Sequence, residues 1–83
     1  LDDISIYPNP SKNIFNISFN SSISQHIKLK ITNVLGEVIF SKKLFSFYGV
    51  FDKMIDLGSY KKGVYLLEIE TKDFSFDRKL ILY

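Results

Sequence analysis

The sequence predicts an all-β domain of about seven short antiparallel strands packed in two layers. Three observations lead there. Apolar and polar residues alternate with a period of two over residues 14–20 and 27–32, as half-buried strands require. No stretch keeps a helical period, and turn signals recur at the spacing of a sandwich. Finally, eight Phe and five Tyr within 83 residues, 46% of them hydrophobic, need more interior than a one-layer sheet encloses.

Taken in order, residues 4–7 form a short alternating strand, and Tyr7-Pro8-Asn9-Pro10 ends it. Two prolines remove two backbone donors and fix φ, so this unit is expected to be a stiff, polyproline-like kink at a sheet edge. In the next strand Phe15, Ile17 and Phe19 face one way, opposite Asn16, Ser18 and Asn20. Residues 21–25 read as a polar turn, after which Ile27, Leu29 and Ile31 alternate with Lys28, Lys30 and Thr32. Asn33-Val34-Leu35-Gly36 is a turn in which Gly36 takes a positive φ without steric cost. Residues 37–44 resume as a strand, residues 45–50 are an irregular aromatic connection broken at Gly49, and residues 51–57 are again a strand. A polar loop leads to residues 63–70, whose continuous apolar content marks a central strand. Residues 74–83 close the chain, with Phe74, Phe76, Leu80 and Leu82 on one parity and Arg78 interrupting it.

Composition removes several function classes. The net charge is +2 and its 11 basic residues are scattered among acidic ones, which is no nucleic-acid stripe. With no cysteine, a disulfide framework and a thiolate metal site are both impossible. No apolar run approaches the roughly 20 residues of a membrane-spanning helix. The length suits one domain over residues 1–83, and a chain opening on Leu1 is expected to have been cut from a larger secreted precursor. His26 is the sole histidine and lacks a partner at motif spacing, Asp2 and Asp3 are too few for a calcium cage, and no serine sits in a nucleophile elbow. The domain is therefore expected to be no enzyme, with neither cofactor nor metal.

With these residues placed, the chain resembles the C-terminal sorting domain of proteins exported by the type IX secretion system of Bacteroidetes, the type A or Por secretion system family. The resemblance rests on an ordered set: Tyr7-Pro8-Asn9-Pro10, Asn33 and Gly36 followed by Val38, Ile55-Asp56-Leu57, Gly63-Val64-Tyr65, and Lys79 in the last strand. Gly58 departs from the Ser or Thr that often follows Asp-Leu in the family. The resemblance implies an immunoglobulin-like β-sandwich acting as an address. Such an address carries a cargo from the periplasm through the outer-membrane translocon to the cell surface or medium. It also implies removal of the domain by a sortase-like cell-surface peptidase.

Each motif also has a plainer structural reading. Pro8-Asn9-Pro10 is either an exposed recognition element or a turn off an edge strand. Asp56 is expected to cap the following loop, and Gly36 and Gly63 to serve the backbone. Tyr65 and Val64 are expected in the core or on a sheet face. Lys79 is expected to face solvent, as a docking contact or as an edge-protecting charge. An open terminal strand would suit strand addition by a translocon component, or dimerisation. The rival reading is an adhesion or carbohydrate-binding module using Phe45, Phe47, Tyr48 and Phe51 as exposed rings.

Overall fold

Five strands carry the chain in the computed structural model, which describes residues 1–83. They are β1 (Asp2–Tyr7), β2 (Ile14–Thr32), β3 (Val38–Asp56), β4 (Gly63–Glu70) and β5 (Ser75–Leu82). All pairings are antiparallel within one sheet ordered β1-β2-β4-β5, with β3 paired to β2. β3 follows β2 over its whole length, from Ile14↔Asp56 to Thr32↔Val38. The opposite edge of β2 is shared, with β1 on residues 16–20 and β4 on residues 28–32. β4, between β2 and β5, is an interior strand as expected, while β2, paired with β1, β3 and β4, is the centre of the sheet.

The all-β, antiparallel class holds, with five strands in one curled sheet where an immunoglobulin-like sandwich of about seven was expected. The polar segment 21–25 and the aromatic segment 45–50 are not breaks. They are bulged bends inside two 19-residue strands, where pairing shifts from Ser21↔Gly49 to Gln25↔Phe47 and then to Ile27↔Leu44. A bulge leaves extra residues unpaired and sharpens the local bend. Here Ser46 and Gly49 take positive φ, 49° and 100°, to absorb them. Ser21, buried at the bend, donates its hydroxyl to the Ile23 carbonyl and accepts from the Gln25 amide. The polar residues that resemble a turn thus satisfy backbone groups that the bend strips of ladder partners.

Bending doubles the β2–β3 hairpin back on itself. The Tyr60 hydroxyl reaches the Ile39 carbonyl near the end of β2, while Leu57 N–H bonds Asn13 O just before its start. Both ends of β2 therefore lie at one pole, and the bends lie at the other. Inside the curl is a single cluster of 14 buried residues, including Phe15, Ile17 and Phe19 from one half of β2 and Ile27, Leu29 and Ile31 from the other. Phe51 and Ile55 of β3, Leu57 just after it, Tyr65, Leu67 and Ile69 of β4, and Leu80 and Leu82 of β5 complete it. The two layers are halves of one curled sheet over a shared core.

Candidate functional site

Four separate stretches meet at the pole where β2 begins and ends. The first is the loop after β1. Asn9 uses its side chain as a surrogate strand: its Nδ2 donates to Lys79 O at 2.8 Å, and its Oδ1 accepts from Ile81 N at 3.0 Å. Ser11 continues the pairing, donating N–H to Ile81 O at 2.9 Å and accepting from Tyr83 N at 3.0 Å. The segment expected as a polyproline-like kink is thus a loop docked along β5, and both of its X-Pro bonds are cis. It covers the outer edge of the last strand from Lys79 to Tyr83, the edge expected to be open.

The second stretch is the β2–β3 turn. Asn33 Oδ1 accepts from Leu35 N and Glu37 N, each at 3.0 Å, and Asn33 Nδ2 donates to Glu37 Oε1 at 2.7 Å. One side chain therefore closes the whole turn, and Gly36 sits at φ +82°, where a Cβ would be strained. Val34 and Leu35 at the tip are 78% and 81% exposed. The third stretch follows β3. Ile55 and Leu57 are buried while Asp56 turns outward, its Oδ1 accepting from Gly58 N at 2.8 Å. A Cβ on Gly58 would stand 2.9 Å from that oxygen and 3.1 Å from the Asn13 Cβ, so any larger residue here would have to displace the Asp56 carboxylate.

The fourth stretch opens β4. Gly63 adopts φ +150° with open space around it, so backbone freedom, not packing, requires a glycine there. Val64 faces outward, whereas Tyr65 is buried and donates its hydroxyl to Lys61 O. Lys79 on β5 is exposed and lies opposite Leu66, next to the Val64↔Ile81 pair. Between the turn and the start of β4 runs a groove of about 440 Å³, lined by Asn33, Val34, Leu35, Lys61 and Val64 among others.

The structure therefore gathers Pro8, Asn9, Pro10, Asn33, Gly36, Asp56, Gly63, Val64 and Lys79 at one pole. Tyr7, exposed at the end of β1, leads into it. Ile55, Leu57 and Tyr65 support it from the core. Sequence reasoning missed Ser11, Asn13 and Lys62, which tie the loops together. Lys62 Nζ donates to Lys12 O at 2.7 Å, and the Ser11 hydroxyl donates to Ile14 O at 2.6 Å. Ser11, two residues after Asn9 in a proline turn, carried a signal for a side-chain cap. The other two act through partners distant in sequence, Lys12 for Lys62 and Leu57 for the Asn13 carbonyl.

Positions scattered through the sequence and brought to one face invite comparison with known proteins. A family model described as a secretion-system C-terminal sorting domain matches residues 5–83. The chain belongs to this family. The sorting domain is 32% identical over 81 residues to an endo-acting ulvan lyase of Formosa agariphila, covering 96% of this chain. It is 34% identical over 68 residues to a β-agarase D of Zobellia galactanivorans, covering 82% of this chain. It spans only 15% and 12% of the length of those two relatives. As a type IX sorting domain, it is a secretion signal that directs proteins across the outer membrane, to be secreted or held at the cell surface.

The four rings of the sugar-platform reading are divided. Phe51 is 8% exposed and stacks on buried Phe19 with centroids 4.8 Å apart, and Phe47 meets both rings edge-on. Phe45 and Tyr48 alone remain well exposed.

Proposed function

We propose that the sorting domain is read as a folded body at this pole, by a component of the type IX translocon, and that a sortase-like surface peptidase removes it after export. The observation carrying the reading is convergence: four stretches far apart in sequence build one exposed surface, and folding is what brings them together. Exposed Val34, Leu35, Val64 and Ile81 supply apolar contact area beside Lys61, Lys62 and Lys79. Such a rim of cations around apolar side chains suits a partner offering carboxylates around an apolar knob. Strand addition to β5 has only its Ser75–Asp77 portion, because Asn9 and Ser11 hold the rest. Docking to the face of the pole is therefore favoured over strand addition, and dimerisation through β5 has the same short stretch. The domain does no chemistry of its own in this reading.

The test fuses a leader-bearing fluorescent cargo to residues 1–83. The double variant Val34→Asp/Leu35→Asp changes two tip residues outside the core and should leave the fold intact while cargo accumulates in the periplasm. Val50→Asp, equally exposed near the bends at the other pole, should export normally. Export of the double variant at the wild-type level would remove the pole from the reading. Mass spectrometry of the exported cargo tests removal, which requires that residues 1–83 be missing.

A further inference from the structure

At the opposite pole, the outer face of the sheet holds a second concavity that the secretion role does not use. It encloses about 310 Å³ between β2, β3 and the β4–β5 turn, at the small end of the roughly 300–1,000 Å³ of ligand sites. Lys28, Lys43 and Lys72 line it, with Glu70 as the one acidic residue. Lys28 and Lys43 are direct cross-strand partners, and like charges in that position are destabilising. Glu70 is the cross-strand partner of Lys28 on its other side, so three lysines share one carboxylate, and none of the three is in a salt bridge, the molecule's one being Lys30–Glu68.

One wall of the concavity is aromatic. Phe45 is 72% exposed and packs edge-on against His26 at 5.5 Å. The imidazole is fixed because its Nδ1 accepts from Ser46 N at 2.9 Å, which leaves Nε2 as the donor of the neutral ring. Ser46 itself holds φ at 49°, a left-handed conformation uncommon for serine. Three lysines around one carboxylate, an exposed ring and a histidine held by Ser46 thus coincide around one hollow.

We propose that this hollow binds an anionic saccharide, a pyranose unit bearing sulfate or carboxylate. The apolar face of the sugar lies on Phe45, the lysines hold the anionic substituent as point charges, and His26 donates to a ring hydroxyl. A single-stranded nucleic acid would need successive stacking rings and a basic track, whereas here one ring stands beside one cluster. A phosphopeptide site would be built from arginines, and the hollow contains none.

The test titrates the ¹⁵N-labelled 83-residue chain with a heparin-derived hexasaccharide at low salt, alongside a neutral dextran hexasaccharide and inorganic sulfate. The expected result is saturable shifts at His26, Lys28, Lys43, Phe45 and Lys72 with the sulfated sugar, weakening as salt rises. Lys28→Ala/Lys43→Ala should weaken binding at least tenfold and Phe45→Ala several-fold. Lys12→Ala/Lys53→Ala, removing equal charge elsewhere, should leave it unchanged. Equal binding of the dextran, shifts centred on the other pole, equal loss in both lysine pairs, or no shift at millimolar sugar would each overturn the proposal. Full reproduction of the shifts by inorganic sulfate would overturn the saccharide.

Discussion

Asn9 shows what one side chain does when it replaces a strand. Its two bonds to Lys79 O and Ile81 N close the gap between the β1 end and the last strand. Each such bond is worth about 0.5–1.5 kcal/mol net, so Asn9→Ala should lower stability by about 1–3 kcal/mol in urea unfolding. Asn9→Asp keeps the acceptor for Ile81 N but turns a carboxylate toward the Lys79 carbonyl, and should be at least as destabilising. Stability unchanged in both would mean the loop is not held by this residue. The sequence displays Asn9 as a residue between two prolines, which reads as a turn. Its partners are 70 and 72 residues away, and no local pattern encodes that distance. Gly36 and Asn33 are the opposite case. Their bonds span at most four residues, so the turn chemistry was legible without the fold.

At the scale of the element, the period-two alternation identified every buried face of β2: residues 15, 17, 19, 27, 29 and 31 all point into the core. What it could not show was continuity. A polar run between two alternating segments is the signature of a turn, but here Ser21 and Gln25 serve a bend through which the ladder continues. The difference lies in the partner strand, because β3 bulges at the same place. Gly49, opposite Ser21, takes φ +100° with open space around its α-carbon. Gly49→Ala therefore meets no clash and tests backbone strain alone, worth about 1–2 kcal/mol. The thermal midpoint should fall by about 4–8 °C per kcal/mol in a domain of this size. An unchanged midpoint would show that the bend does not depend on the left-handed residue. The parity of the last strand also held in part: Leu80 and Leu82 are buried, while Phe76 is half-buried beneath the Arg78 guanidinium, 5.2 Å from its ring centroid.

For the whole molecule, the end of the chain is both part of the core and part of the exposed pole, and an export experiment must separate the two. Leu80 and Leu82 are fully enclosed, and losing one buried leucine side chain costs about 2–5 kcal/mol. Deleting residues 80–83 removes two of them together with the pairing partners of Ser11, which approaches the about 5–15 kcal/mol that holds a domain together. The truncated domain should be unfolded by circular dichroism, and its failure to export would say nothing about recognition. Lys79→Glu is the informative change. The side chain is exposed and only its carbonyl is engaged, by Asn9, so stability should shift by no more than about 0.5 kcal/mol. If the pole is read through its cations, the charge reversal should cut export several-fold with an unchanged midpoint, and Lys79→Arg should restore it. Equal export of Lys79→Glu and wild type would assign Lys79 to edge protection, the other role its sequence position allowed, and leave recognition to the apolar turn at Val34 and Leu35.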